Sequence, residues 1–316
     1  MTKALLRALL LAFHALCIAA SLPAAAAVLN VEFNFTPYTG DTAKSDLVES
    51  VPGKASIYIN NIPLAEQEID KQNMPVMFDE RQIAPSVWIT GSGLGGALRK
   101  GKNRLRIEFE PADPKLAYRT QLRWSTVTDQ VTRTDSGPGR SSETNMSDLG
   151  KDDKPAKGPV VLERDFMADF ATERPWHKYP PITELSDAER QTLAKTVSDM
   201  ADTFKPDFAG AYGVLAGVEN LRLDEVKKNK CLDKAYAAGV RIKVAPASQM
   251  DVRTTGNAEV IVRAKNGQLF APADPRAFER IKDNKIQMCA GIVLSALYPQ
   301  QVVFVRTPAG KWEVVR

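Results

Sequence analysis

The densest group of chemically capable side chains in this sequence is Trp176-His177-Lys178-Tyr179-Pro180-Pro181. Trp176 and Tyr179 can stack on a ligand while His177 serves as acid or base, because imidazole titrates near neutrality. The same segment can instead be a proline-stiffened strap pinned by its aromatic rings, which bury large areas and keep a polar tip wet. A second group is acidic: Glu163, Asp165, Asp169 and Glu173. On a helix Asp165 and Asp169 share a face, and paired carboxylates do acid–base work. Phe166 and Phe170 repeat that spacing one position on, so the segment also reads as an ordinary amphipathic helix with a solvated acidic face. A third group is basic. Arg104 and Arg106, with Arg119 and Arg123, take the polar positions of two alternating strands. If those strands pair, the arginines form a basic stripe suited to an anionic lipid, a glycan or an acidic protein. Glu108 interrupts it, and a polar outer face is what a half-solvated sheet normally shows.

The remaining reactive inventory is small. The chain holds three cysteines and two histidines. Cys17 and His14 fall within the first 27 residues, which leaves Cys231, Cys289 and His177 for the rest. Cys231 and Cys289 most simply form one disulfide. A Cys2His zinc site using all three lacks any short C-x2-C or H-x3-H spacing. A Ser-His-Asp arrangement would need His177, and no G-x-S-x-G elbow is present. No catalytic residue, metal ligand or cofactor is assigned. Asp41 and Asp46 do not fit the spacing of a calcium-binding loop. Asn34-Phe35-Thr36 and Asn145-Met146-Ser147 are glycosylation sequons whose meaning depends on the host. A net charge of +4 at 34.7 kDa, with basic residues scattered, carries no nucleic-acid signature.

These side chains belong to a chain with an export leader. Lys3 and Arg7 precede an apolar run from Ala8 to Ala20, Ser21-Leu22-Pro23 breaks it, and Ala24–Ala27 supplies small residues for cleavage. This is the layout of a secretory signal peptide. Read as a membrane anchor, the run is interrupted by His14, Ser21 and Pro23; read as a lipoprotein signal, it has Leu16 where a small residue should precede Cys17. Export places the mature chain in the periplasm or outside the cell, where a disulfide persists.

The elements follow from periodicity. Leu29, Val31, Phe33 and Phe35 alternate with polar residues, as do Leu105, Ile107 and Phe109, and Tyr118, Leu122 and Trp124; Ala55–Ile59 ends in the turn pair Asn60-Asn61. With Gly- and Pro-containing turns between them, these predict an antiparallel β-sandwich. Ile57-Tyr58-Ile59-Asn60-Asn61, Met77-Phe78-Asp79 and Leu98-Arg99-Lys100-Gly101-Lys102-Asn103-Arg104-Leu105-Arg106-Ile107 together resemble galactose-binding-domain-like sandwiches of the jelly-roll type, over about residues 28–130. The resemblance implies a binding scaffold, with Asn61 where the usual "N-G" turn has glycine; it does not imply a sugar, because a fold does not dictate a function.

Residues 134–158 are rich in Ser, Gly, Asp and Lys and read as a polar linker or long exposed loop. Beyond it, Ser186-Asp187-Ala188-Glu189 is a capping box ahead of the helical repeat Leu193, Val197, Met200 and Phe204. Helical signals at Phe208–Leu215 and Leu223–Lys230 follow, then strand signals at Val240–Val244, Glu259–Arg263 and Gln268–Phe270. Val302–Val305 and Trp312–Val315 form a terminal hairpin around Thr307-Pro308-Ala309-Gly310. That hairpin resembles the end of NTF2-like α+β proteins. The expected organisation is an α+β multidomain chain: a signal peptide at 1–27, a β-sandwich at 28–133, a linker at 134–158 and a helices-first α+β domain at 159–316. The leading expectation is an exported, non-enzymatic binding protein of the cell envelope with a protein partner, an envelope or extracellular protein. The alternatives are a hydrolase or glycan-acting enzyme using His177 or Asp165/Asp169, and a carbohydrate-binding accessory module. N-terminal sequencing of the exported protein should begin at Val28; a mature chain that retains Lys3 and Arg7 contradicts the leader.

Overall fold

The computed structural model describes residues 28–40, 48–75, 82–84, 86–90, 94–128, 145–218 and 221–315. The leader, the Asp41–Asp46 loop, Met77-Phe78-Asp79 and the first part of the polar stretch lie outside the described residues.

Contacts divide the chain into two units. The first comprises Met1–Ile57 and Ala65–Thr172. The strands over this part of the chain are β1 (Val28–Thr39), β2 (Glu49–Ser50), β3 (Gly53–Ile59), β4 (Ile62–Ile69), β5 (Met74–Pro75), β6 (Gln82–Ile83), β7 (Val87–Thr90), β8 (Gly101–Pro111), β9 (Ala117–Thr128), β10 (Asn145–Lys157) and β11 (Val160–Ala168), the hairpin tip Tyr58–Leu64 between β3 and β4 counting with the second unit. One sheet runs β10-β9-β1-β2, with β7 also paired to β1; the other runs β11-β8-β3-β4. β1 is antiparallel to β2, β7 and β9, β9 to β10, and β8 to β11.

Successive side chains on a strand face opposite ways, so alternation in sequence becomes a buried layer. Val31, Phe33 and Phe35 of β1, Leu105, Ile107 and Phe109 of β8, and Ile59 of β3 are fully buried. The layer is aromatic. The Phe33 and Phe166 rings meet edge to face at 5.0 Å, Phe35 lies 5.7 Å from Phe109, and Phe109 lies 5.7 Å from Tyr118. Two sheets therefore pack face to face in a sandwich. The Arg99–Gly101 turn that leads into β8 is held by Asn103, which is buried. Its amide donates to the carbonyl oxygens of Arg99 and Gly101, and its Oδ1 accepts from the Arg99 N–H. Gly101 has φ +90, which suits glycine.

Two segments differ from the sequence expectation. The segment around Asp165, Phe166, Asp169 and Phe170, expected as an amphipathic helix, instead has Asp165 and Phe166 in strand β11: Leu162, Phe166 and Ala168 are buried while Val161, Glu163, Asp165 and Met167 face outward. A four-residue repeat satisfies a period of 3.6 and a period of 2 alike, and pairing with β8 selects the second. The stretch read as a linker contains strand β10 on β9. Its polar composition suits an edge strand, where Pro155 can sit without breaking a ladder. Gly150 is required there by a close approach: a Cβ would lie 2.4 Å from Trp124 Cζ2. Arg164 caps the same indole at 3.4 Å from a ring centroid.

The second unit comprises Tyr58–Leu64 and Glu173–Arg316. It contains α1 (Asp187–Ala201), α2 (Ala209–Leu215), α3 (Leu223–Lys228), α4 (Cys231–Ala237), β12 (Ile242–Val244), β13 (Met250–Thr254), β14 (Glu259–Ala264), β15 (Phe270–Pro272), α5 (Asn284–Leu297), β16 (Gln301–Arg306) and β17 (Trp312–Val315). The main sheet is antiparallel in the order β13-β14-β16-β17, and β12 pairs with β15. The capping box holds as expected: Ser186 Oγ accepts from Glu189 N–H and Glu189 accepts from Ser186 N–H. Arg306 of β16 pairs with the same carboxylate. Hydrogen bonds from Ser186 N–H and its hydroxyl, ahead of the Arg306 charge, hold the Glu189 carboxyl below its ordinary value. Leu193 and Val197 of α1, Leu232 of α4, Val293 of α5, Val260 and Val262 of β14 and Phe304 of β16 share one core.

The strand Met250–Thr254 and the helix Asn284–Leu297 are additions to the sequence reading. The helix carries its own start signal, because Asp283 accepts from the N–H groups of Lys285 and Ile286. Cys231 of α4 is bonded to Cys289 of α5, with Cα atoms 5.9 Å apart at a sequence separation of 58. Replacing both cysteines by serine should lower unfolding stability by about 4 kcal/mol on loop entropy, read by denaturant titration of the native and double-variant proteins. A thiol titration should find no free thiol in the native protein and two after reduction and unfolding.

Candidate functional site

The structure scatters the sequence-predicted residues. β8 belongs to one sheet and β9 to the other, so Arg104 and Arg106 face away from one side of the sandwich and Arg119 and Arg123 from the opposite side. The single basic stripe does not form, because it required β8 and β9 to be neighbours. Arg104 is bound to Asp165, with its Nε 2.8 Å from Oδ1, and lies near Glu163; Arg106 lies 3.3 Å from Glu108. Lys102 also meets Asp165, at 2.8 Å. This outer face is a ladder of opposite charges across β8 and β11.

The carboxylate pair dissolves in the same way. Hydrogen bonds from Arg104 and then Lys102 pull the Asp165 carboxyl down to about 2. A group held that far below neutrality is a weak general base. Asp169 lies beyond the strand and accepts from the Val28 N–H at 3.2 Å. His177 lies in a 3-10 turn, Pro175–Lys178, where its Nδ1 accepts from the Arg174 N–H at 3.3 Å. Its ring meets Trp176 edge to face at 5.7 Å, and the Arg174 guanidinium lies 6.0 Å from the indole. Tyr179 closes the turn, donating its N–H to the Trp176 carbonyl. The geometry is that of an aromatic turn folded on itself. Among the described residues no group of three or more His, Cys, Asp or Glu side chains could hold a metal ion.

The loop that resembles a displayed binding turn is also engaged. Asn60 and Asn61 adopt φ of 52 and 65, the left-handed pair that a two-residue hairpin demands and that Asn tolerates. Within the second unit, Asn61 Nδ2 donates to the Thr255 carbonyl at 2.9 Å and Asn257 Nδ2 donates to the Asn60 carbonyl at 3.2 Å.

The concentration of polar and aromatic groups lies elsewhere, on the outer face of the β1 sheet. Because Phe33 and Phe35 face inward, Asn34 faces out. Strand register places it beside Trp88 of β7 on one side and Arg123 of β9 on the other, and Arg123 beside Lys151 of β10. One row therefore reads Trp88, Asn34, Arg123, Lys151. Trp88 is 66% exposed. Arg123 and Lys151 are exposed and make no ion pair among the described residues, while Asn34 Oδ1 is buried with no hydrogen-bond donor among them.

Beside that row lies a bonded cluster. Asp153 of β10 accepts from the Tyr38 hydroxyl at 2.7 Å, from Arg119 Nε at 2.8 Å and from Gln121 Nε2 at 3.1 Å. Thr36 and Ser86 hydroxyls meet at 2.6 Å nearby. Partial burial works against the charged form of Asp153. The Tyr38, Gln121 and Arg119 hydrogen bonds and the Arg119 charge outweigh it, holding the carboxyl below its ordinary value. Burial, then the bond to Asp153, pushes the Tyr38 hydroxyl up.

Of the predicted residues, only Arg119 and Arg123 lie on this face. Sequence reading missed Tyr38, Asp153 and Trp88, and named Asn34 only as part of a glycosylation sequon. The available signal was parity, since Asn34 and Tyr38 are both even positions of β1. No known protein family, curated protein or solved structure matches this chain.

A depressed folded-state pKa stabilises above the ordinary value of 3.8 and that contribution fades as pH falls through the folded value. Asp153→Asn should therefore lower stability by about 1 kcal/mol at neutral pH. The gap from the native protein should close below pH 3.8, as read by thermal unfolding across a pH series.

Proposed function

We propose that the chain is an exported, non-enzymatic interaction protein of the cell envelope, periplasmic or secreted after cleavage near Ala27, and that its partner is another envelope or extracellular protein. The observation that carries this reading is the outer face of α5. Its residues Ile286–Leu297 include no charged side chain. Met288 is 68% exposed and Ile292 is 57% exposed, one turn apart. Gly291 lies between them, and a Cβ built on it meets nothing within 4 Å.

Large apolar side chains on a helix are normally turned toward a covering surface. Here the inward side is filled by Ile286, Ala290, Val293, Leu294 and Leu297. The outward side is left for something else. The disulfide to α4 fixes the helix, so docking does not require its ordering. We read the first unit as a jelly-roll-type, galactose-binding-domain-like sandwich, and the β16–β17 hairpin as the NTF2-like closing element. The Asn103-braced turn before β8 supports the first reading.

Affinity capture of the tagged full chain from the exported fraction should recover a stoichiometric protein partner. Met288→Ser with Ile292→Ser should reduce recovery at least tenfold while leaving the thermal transition in place, because both side chains are exposed. Equal recovery by the variant, or no partner at native expression, overturns the proposal.

A further inference from the structure

We propose a second, separate binding site: the row Trp88, Asn34, Arg123 and Lys151 across the outer face of the β1 sheet takes an acidic oligosaccharide. It shares with the protein-docking reading only the premise of export, and no residue is common to the two surfaces.

Four strands lie side by side in this row, β7, β1, β9 and β10. Three strand separations of ~4.8 Å span about 14 Å, the length of a short oligosaccharide laid across the strands. At one end Trp88 offers a flat ring, 66% exposed, on an edge where nothing overlies it among the described residues. Its neighbours are polar, so it is an isolated anchor and not the centre of an apolar patch. A sugar ring matches that arrangement: its C–H face lies on the indole while its hydroxyls reach the polar groups beside it. A protein interface would instead gather several apolar side chains at its centre.

Asn34 supplies the next contact. Its Oδ1 is buried without a donor among the described residues, although buried acceptors are ordinarily satisfied. Because that oxygen is buried, the Asn34 side chain would turn toward Trp88 to accept from a ligand hydroxyl arriving there. At the far end Arg123 and Lys151 present two cations with no ion pair among the described residues. Arg suits a carboxylate because its planar fork binds both oxygens. The nearby acids do not cancel this. Asp153 is taken up by Tyr38, Arg119 and Gln121. Glu32, one row along β1 and half-buried, leaves the row net positive. The ligand class is thus a saccharide with uronate-type carboxylates, its ring on Trp88 and its charge on Arg123.

The test is affinity electrophoresis of the full exported chain through native gels containing alginate, polygalacturonate or hyaluronan, with neutral dextran and poly-glutamate as comparison. The expected result is retardation by at least one polyuronate and none by dextran. Trp88→Ala should abolish that retardation, Arg123→Gln should weaken it at least tenfold, and the Met288→Ser/Ile292→Ser chain should be retarded like the native protein. Trp88 and Arg123 are exposed, so both variants should keep the native melting transition. Retardation by none of the polyuronates, retardation that survives Trp88→Ala, or equal Trp88-dependent retardation by dextran overturns the proposal. So does poly-glutamate retardation through the same residues, which would mark the row as a peptide site. Loss of the protein partner with polyuronate binding intact would remove only the α5 reading.

Discussion

Parity along β1 governs the first unit. Phe33 and Phe35 are fully buried against Phe166 and Phe109, and a strand can bury them only by turning residues 32, 34 and 36 to the other face. A slip of one residue would bring Asn34 into the aromatic layer and expose two phenylalanines. The register with β7 and β9 is fixed by that penalty, and the register decides what meets on the outside. Trp88, Asn34 and Arg123 become neighbours because their inner counterparts Val87, Phe33, Phe35 and Leu122 need one another. The candidate site is therefore a by-product of core packing in its placement, while its chemistry depends on the identities at positions the core leaves free.

The second unit is constrained differently. α4 is seven residues long, too short to be stable alone. The Cys231–Cys289 bond ties it to the fourteen-residue α5. Cys231 is fully buried, so the bond lies in the common core with Leu232 and Val293 and anchors one side of α5 there. The exposed side, Met288 and Ile292, lies opposite the buried Ala290, Val293 and Leu297 and is presented in a fixed orientation. Strands β14 and β16 bury Val260, Val262 and Phe304 against the same core.

Much of this was legible where one period alone explained the pattern. The alternation at residues 31–35 and 105–109, the Ser186–Glu189 box and the terminal hairpin all appear where the sequence placed them, while Leu29, expected inward, is exposed because the register shifts between Val28 and Asn30 and turns Val28 inward instead. The failures have physical causes. Asp165 and Asp169 fit a helix and a strand equally until β8 supplies a ladder. Residues 151–157 bury almost nothing apolar, and what holds them is the backbone ladder to β9 with the cross-strand bonds to Asp153, which no local pattern displays. Whether Arg106 and Arg119 share a face depends on strand order, which periodicity does not encode. The helix at 284–297 carries the unbroken apolar stretch Met288–Leu294 at its centre, and such a stretch shows little amphipathic contrast to read.

The fate of the charged residues explains why the row at Arg123 stands out. On the β8–β11 face nearly every cation has an acid within reach: Lys102 and Arg104 at Asp165, Arg106 at Glu108, and Lys54 at Glu66. Exposed pairs of this kind contribute little stability, so their regularity is better understood as neutralising a broad surface than as holding it together. On the β1 face the same accounting ends differently. Asp153 and Arg119 satisfy each other together with Tyr38 and Gln121, and Arg123 and Lys151 have no acid among the described residues, beside a displayed indole and a buried amide oxygen without a donor among them. An arginine neutralised by its own sheet has little left to offer a ligand carboxylate. One left without an acid beside an aromatic ring retains both its charge and its hydrogen-bonding fork. Recognition is thus assigned to the face where internal pairing is incomplete, and that incompleteness distinguishes the two sides of the sandwich.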